Sequence, residues 1–329
     1  MLSGFVFSLI VSVLFAVYAA PRKFSRQNVI LYTMWMGIAY FMGALMLVAI
    51  VWGFGFEKPE NLLNTWHFIT VLRGFVWVIG MAAYNTAIDK IGLTRFNQWK
   101  NAQGPVGSLL ILFIVDDWAA GIKALWLLSG MAVMFCSALL FQIKTDTASG
   151  NQVVDDRLTA TVEALPQRNT ASGISFALLS GVCFGISAFL NSIVSRPAIV
   201  GDTFTFTQLL YHSASLIVFS ALVYMVTGNK SGESPTAKQR FYDMITVDRK
   251  TWLPFIAGAM YMVATLLTIY AYRMIPNAVA WSITQLNVFW TVLLGIFIFK
   301  EVNWKRHWLR LTAGVAMAAG SSVLLFIAI

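Results

Sequence analysis

Long apolar stretches recur along the chain, separated by short polar or basic breaks. A helix that crosses a bilayer needs ~20 largely apolar residues. Ten stretches fit: 3–20, 29–54, 63–87, 93–115, 121–143, 172–195, 204–227, 252–274, 277–300 and 305–328. They predict an all-α polytopic membrane protein with ten transmembrane helices. Residues 144–171 are polar and contain no aromatic residue, so they read as a flexible cytoplasmic linker between halves 1–143 and 172–329. The other long loop, 228–251, is basic at its end and contains a short surface helix around 237–245. The first span starts at residue 3 without a basic leader or a small-residue cleavage site, which reads as a retained helix rather than a signal peptide.

The two halves repeat. Residues 92–141 lie on 276–325 at a constant offset of 184, pairing Leu109, Leu110, Phe113 and Ile114 with Leu293, Leu294, Phe297 and Ile298. Gly130, Ala132 and Ser137 then meet Gly314, Ala316 and Ser321. The start of the chain repeats at an offset of 169: Ser3, Gly4, Phe7 and Phe15 match Ser172, Gly173, Phe176 and Phe184. Duplication of an odd number of spans, inserted in opposite senses, is how many secondary transporters build a site that opens to either side.

Charge supports that sense of insertion. Only 11% of residues are charged and 58% are hydrophobic, where a soluble chain carries roughly 25% charge. The net charge of +9 does not point to nucleic acid, because 18 of the 23 Lys and Arg residues sit in loops that follow odd-numbered spans. By the positive-inside rule those loops are cytoplasmic and both termini extracytoplasmic. Loops 4–5 and 9–10, equivalent in the repeat, then lie on opposite sides, so the repeat is inverted. Cys136 and Cys183 fall within spans and read as small packing residues. The chain has no Walker-type loop, zinc spacing or Gly-rich nucleotide fingerprint, and we expect neither a cofactor nor enzymatic activity.

Polar residues inside the spans form stripes at helical spacing: Gln208, Tyr211, His212 and Ser215 in span 7, and Tyr261, Thr265, Thr268 and Tyr272 in span 8. Span 3 aligns Arg73, Trp77 and Tyr84; span 6 offers Ser180, Ser187 and Asn191; span 9 offers Trp281, Thr284 and Gln285. Polar groups in hydrocarbon face protein or a wet cavity. Tyr and Trp beside amides and hydroxyls suit a sugar, whose ring has apolar faces and a hydroxylated rim. Span 4 carries Arg95, Asn97, Gln98, Lys100, Asn101 and Gln103 before Gly104-Pro105. Pro105 frees the carbonyl of Asn101 and bends the helix, either as a packing kink or as a site device. Asn101 and its repeat partner Gln285 both carry amides.

Arg73 lies ten positions into span 3, about 15 Å along its axis, and no Asp or Glu occurs at mid-span depth. It is either satisfied by carbonyls and Tyr hydroxyls or binds an anionic group of the substrate, assisted by Lys100. His212 is the one mid-span group with an ordinary pKa near neutrality and is the candidate for a coupling proton, a structural histidine being the alternative.

Several segments resemble the drug/metabolite transporter superfamily, and within it the glucose/ribose uptake and L-rhamnose–proton symporter group. Tyr18–Trp35 resembles the rhamnose symporter's junction of helices 1 and 2. Arg73–Gly80 followed by Lys90–Leu93 is similar to the Gly-x-x-Trp-x-Ile-Gly…Ile-Gly pattern of both branches. Ser180–Pro197 resembles helix 6 of the rhamnose branch, and Gly295–Glu301 the superfamily's apolar run ending in Lys-Glu. The resemblance implies a secondary transporter of the inner or plasma membrane with a sugar substrate and symport of a proton, or of sodium. Arg73 and Lys100 depart from the family pattern and raise a sugar acid or other organic anion as substrate. The residues expected to bind it are Arg73, Trp77, Tyr84, Lys100, Asn101, Asn191, Gln208, Tyr211, His212, Tyr261, Trp281 and Gln285. The rival expectation is an exporter of amino acids or other small metabolites, a common role elsewhere in the superfamily.

Overall fold

The structure is a computed structural model and describes residues 2–25, 27–54, 65–91, 96, 99–100, 103–116, 122–140, 170–196, 204–227, 236–247, 251–299 and 304–328. Among these residues every regular element is a helix. α1 is Leu2–Val17, α2 Ala20–Phe24, α3 Val29–Gly53, α4 His67–Ile91, α5 Gln103–Leu110, α6 Ile122–Leu140 and α7 Thr170–Val194. α8 is Phe204–Thr227, α9 Ala237–Ile245, α10 Trp252–Met274, α11 Asn277–Thr284, α12 Asn287–Phe297 and α13 Trp304–Ile327. A π-helical turn, Ile111–Val115, continues α5. Among the described residues, eight helical segments are long and apolar enough to cross a membrane, taking α1 with α2 and α11 with α12 as single segments. Two shorter apolar helices correspond to α5 with its π-turn and to α6. The chain is a multi-pass membrane protein.

Helix ends follow local chemistry. The Asn28 side chain accepts the Ile30 amide at 2.8 Å, supplying a partner to one of the donors that the first turn of α3 leaves free. Asp116 does the same for α11 from another element. Its carboxylate accepts the Ala278 and Asn277 amides at 2.8 and 3.4 Å and lies 3.5 Å from the Arg196 guanidinium.

Span 9 is broken. α11 ends at Thr284 and α12 begins at Asn287, with Gln285 and Leu286 in a turn whose amides bond to the carbonyls of Ser282 and Ile283. The Gln285 side chain donates to the Trp281 carbonyl at 3.2 Å, the acceptor its own backbone would use in a continuous helix. The side-chain amide thereby compensates the break. In span 4, where the sequence places a break, Pro105 occupies the first turn of α5. Asn101, whose carbonyl it is expected to free, lies outside the described residues.

Packing runs mostly between the halves. α4 lies along α7, and α10 along α1; α3 packs on α8, and α6 on α13. α4 also meets α8 as α10 meets α3, and α5 meets α7 as α1 meets α11 and α12. Exchanging α1 with α7, α3 with α8, α4 with α10, α5 with α11 and α12, and α6 with α13 leaves these pairings unchanged. The close approaches obey the same exchange. A Cβ on Gly4 would lie 2.9 Å from Ile275 Cγ2, and one on Gly173 would strike the side chain of Ile91. A Cβ on Gly74 would strike Ser215 of α8, and one on Gly258 would strike the Met36 carbonyl of α3. Ser137 donates to the Gly314 carbonyl at 2.7 Å, while Ser321 reaches back to Met134 Sδ at 3.6 Å.

Candidate functional site

A cavity of about 40 Å³ lies among α1, α4, α5, α7, α10, α11 and α12, well below the ~300–1,000 Å³ of open small-molecule sites, so a sugar-sized solute enters only where these helices part. Phe15 and Tyr18 line it from the C-terminal end of α1 and the turn after it. Arg73 and Trp77 come from α4; Phe184, Ser187 and Asn191 from α7; Tyr261, Thr265 and Thr268 from α10. Lys100, Gln103, Trp281 and Asn287 complete the polar wall. Trp77 and Tyr261 pack with ring centroids 4.7 Å apart, and Tyr18 lies 5.6 Å from Tyr261. These rings form an aromatic floor.

Four pairs of lining residues stand at the offsets of the sequence repeat. Phe15 and Phe184, like Tyr18 and Ser187, are 169 apart; Trp77 and Tyr261, like Gln103 and Asn287, are 184 apart. The two cations break this pattern. Arg73 corresponds to Ala257 and Lys100 to Thr284.

Hydrogen bonding divides the expected stripe residues into two groups. Several hydroxyls are satisfied by their own helices: Thr265 donates to the Tyr261 carbonyl at 2.9 Å, Thr268 to that of Ala264 at 2.7 Å, and Ser215 to that of His212 at 2.6 Å, whereas those of Tyr84, Ser180 and Tyr272 have no partner. Such back-bonding is ordinary for Ser and Thr in membrane helices. The amides and the guanidinium behave otherwise. Nε and Nη1 of Arg73, Oδ1 of Asn191 and both side-chain polar atoms of Asn287 are buried without a hydrogen-bond partner. Leaving one such group unsatisfied costs about 1–3 kcal/mol, and more for a charged one. All three residues line the cavity.

Arg73 is 4% exposed. It stands six residues after the first residue of α4, ~9 Å along the axis, and points inward. Among the described residues no Asp or Glu lines the cavity. The carboxylates at its periphery are engaged elsewhere: Asp89 pairs with Arg22 at 2.6 Å, and Asp116 with Arg196 and the α11 amides. Lys100 is buried, its Nζ 5.3 Å from the Tyr84 ring and 5.6 Å from that of Phe184, so aromatic faces rather than carboxylates surround it. Asp116 itself sits beyond the end of the π-turn, where burial pushes its carboxyl above the usual range against the opposing pull of the Ala278 and Asn277 amides and Arg196.

The expected site residues distribute as follows. Arg73, Trp77, Lys100, Asn191, Tyr261 and Trp281 line the cavity. Tyr84 lies behind Lys100, and Asn101 is outside the described residues. Gln285 holds the break in span 9 and accepts from Gln103 Nε2 at 2.8 Å. His212 lies behind the aromatic floor, its ring 5.6 Å from Tyr40 and 6.2 Å from Trp77, with neither nitrogen partnered. Gln208, one turn away and fully buried, also has no partner for either polar atom. Tyr211 instead stacks on His67 at 3.7 Å. Phe15, Tyr18, Phe184 and Asn287 line the cavity without having been expected there. The repeat links them: Phe15 and Phe184 are counterparts of one another, Tyr18 of Ser187, and Asn287 of Gln103.

A crystal structure 13% identical in sequence aligns over 98% of this chain and 94% of its own length with a TM-score of 0.62; it bears on the fold alone. Among curated proteins, "Putative sugar uptake protein YxfA" of Lactococcus lactis subsp. lactis (strain IL1403) is 24% identical over 291 residues, covering 87% of this chain and 86% of its own. Residues 32–328 match the model of the family described as "Sugar transport protein". The chain belongs to that family.

Proposed function

We propose that the chain is a ten-helix secondary carrier that takes up a negatively charged sugar by alternating access across the inner or plasma membrane. Its halves, 1–143 and 172–329, form an inverted repeat joined by the linker 144–171, with both termini extracytoplasmic and the linker cytoplasmic. The exchange-invariant helix pairing and the four repeat-related lining pairs support this reading, because a site on the axis between two rocking halves opens to either side. The unpartnered polar groups and the rings of the cavity support the following roles. Arg73, with Lys100, holds the substrate's anionic group; Asn191, Asn287 and Gln103 meet its hydroxyls; Trp77, Tyr261 and Trp281 cover its apolar faces. His212, with Gln208 beside it, is the station for a coupling proton.

The observation that carries the substrate's charge is the uncompensated pair of cations. A buried guanidinium needs an anion or several carbonyls and hydroxyls, and the cavity's described lining offers the Tyr261 hydroxyl but no carboxylate. The relative named for sugar uptake supports the direction and the solute class.

Thermal stabilisation of the purified protein by a hexose and by the matching hexuronate tests the assignment. Binding to the folded state raises stability by ~2.7 kcal/mol at a hundredfold excess over Kd. Stabilisation by the acid alone is expected. Stabilisation by the neutral sugar alone returns Arg73 to a structural role, and stabilisation by neither removes these sugars as ligands. Counterflow in proteoliposomes under opposite proton gradients separates uptake from export, and single-channel currents overturn alternating access.

A further inference from the structure

α9 is amphipathic the wrong way round for a helix packed on a protein. Its polar side faces the bundle: Arg240 donates to the carbonyls of Met225 and Val226 at the end of α8, and the Tyr224 hydroxyl donates to Asp243 at 3.0 Å. Gln239 braces Asp243 at 3.3 Å, and Thr236 caps the helix through the Gln239 amide. At 100° per residue, Phe241, Tyr242 and Ile245 with Lys238 fall on the side turned away. They are 54%, 51% and 53% exposed for the three apolar residues, and no residue of α9 is buried. The Lys238 ammonium lies 6.0 Å from the Tyr242 ring, so the outward face is aromatic and aliphatic with a cation at its edge.

Water is a poor neighbour for that face, and its position names a better one. α9 joins the end of α8 to the start of α10, both membrane spans. It is therefore held at one boundary of the bilayer. Trp252, which opens α10, is 70% exposed, and Val247 between the two helices is 71% exposed. An outward Trp at a span end marks the headgroup level.

We propose that α9 is an interfacial anchor seated in the phospholipid headgroup layer. Phe241, Tyr242 and Ile245 enter the upper acyl region, and Lys238 meets lipid phosphate. Helices of this kind bury their apolar face ~5–10 Å into the headgroup and acyl boundary, more firmly on anionic lipid. α9 thereby fixes the α8–α10 connection at the membrane surface, independently of which solute the cavity accepts.

The test uses the full chain with Cys136→Ser and Cys183→Ala, in liposomes of phosphatidylcholine with phosphatidylglycerol. A nitroxide is placed at Phe241→Cys, Ile245→Cys or Gln239→Cys, and its collisions with oxygen and with a water-soluble nickel complex are compared. The labels at 241 and 245 are expected to favour oxygen, and that at 239 to favour nickel. Lys238→Glu should shift the 245 label toward water in the anionic vesicles and less in pure phosphatidylcholine. Nickel access at all three positions overturns the proposal, and so does exclusion of both reagents from 241 and 245, which means a protein covers the face. If the cysteine replacements lower the melting temperature, brominated-lipid quenching of Ile245→Trp against Gln239→Trp in the otherwise unchanged chain reads the same immersion, with stronger quenching expected at 245. Equal quenching of the two overturns the anchor.

Discussion

Replacing Arg73 by Gln separates a ligand-binding guanidinium from a structural one, because the two roles predict opposite signs for the unliganded protein. Arg73 is 4% exposed, two of its nitrogens lack partners, and no carboxylate among the described residues lines the cavity with it. Its charge is thus a net liability until an anion arrives, and removing it should leave the apo melting temperature unchanged or raised. Against an acidic sugar the sign reverses. Hydrogen bonds to charged groups contribute about 1.5–3 kcal/mol each, and a carboxylate meeting both free N–H groups engages two of them. Allowing for the weaker bonds Gln retains, the loss should be about 3 kcal/mol, on the order of a hundredfold in Kd. The assay is a melting series of wild type and Arg73→Gln in detergent, titrated with a hexuronate, with the matching hexose as control. A hexuronate shift lost in the variant, with normal apo melting, supports the anion role. The reasoning is refuted by a collapse of apo melting, or by a hexuronate shift that survives the substitution at the same concentration.

Three further outcomes follow from the packing and the peripheral charges. Gly74→Ala should destabilise by ~1–3 kcal/mol through overpacking and be rescued by Ser215→Gly, whereas Gly258→Ala, which meets the Met36 backbone carbonyl, should resist rescue by trimming side chains; thermal melts of the double variants decide this. Gln285→Leu leaves Gln103 Nε2 and the Trp281 carbonyl without their side-chain partner and should lower melting by the equivalent of ~2–4 kcal/mol while Gln285→Glu lowers it less at acidic pH. Asp116 has a folded pKa raised by burial, so the folded state binds its proton more tightly than the unfolded one. Its contribution to stability is fully present below the ordinary carboxylate range near 3.9 and is lost as pH rises through the raised value. The melting difference between wild type and Asp116→Asn should therefore move in favour of wild type as pH falls toward that range, and the opposite slope would show that the amides and Arg196 outweigh burial.

The sequence reveals spans more readily than walls. α8 and α10 lie where hydropathy puts them, at Phe204–Thr227 and Trp252–Met274, because a twenty-residue apolar run in lipid has few alternatives to a helix. The interruption of span 9 escapes hydropathy altogether: Gln285 and Leu286 disturb neither its length nor its apolar character, and only the side-chain bond to Trp281 discloses that the turn is compensated. Stripe periodicity could not say which polar residues face the cavity, since Gln208, Tyr211 and His212 lie away from its lining, nor which were already satisfied. Thr265 and Ser215 bond within their own helices, while Asn287 and the side-chain carbonyl of Asn191 do not. A hydroxyl reaches its own helix's carbonyl with one short rotor, whereas an Asn amide in a helix has no such local partner for both its atoms.

The cavity's symmetry and its charge come from different sources. Trp77 with Tyr261, Phe15 with Phe184 and Gln103 with Asn287 occupy matching positions in the two halves, and they supply rings and amides that any hydroxylated ring could use. One half carries Arg73 and Lys100; the other has Ala257 and Thr284 at those positions. The consequence is directional. A substrate held as we propose has its anionic group toward the α4 and Lys100 side and its hydroxyls toward α7 and α12, so one end of the molecule would be read by charge and the other by the Asn pair. Moving the cation by pairing Arg73→Ala with Ala257→Arg should restore less than wild-type affinity for the acid, because Asn191 and Asn287 would then face the wrong end. Restoration to full affinity would mean that the site senses charge without orientation.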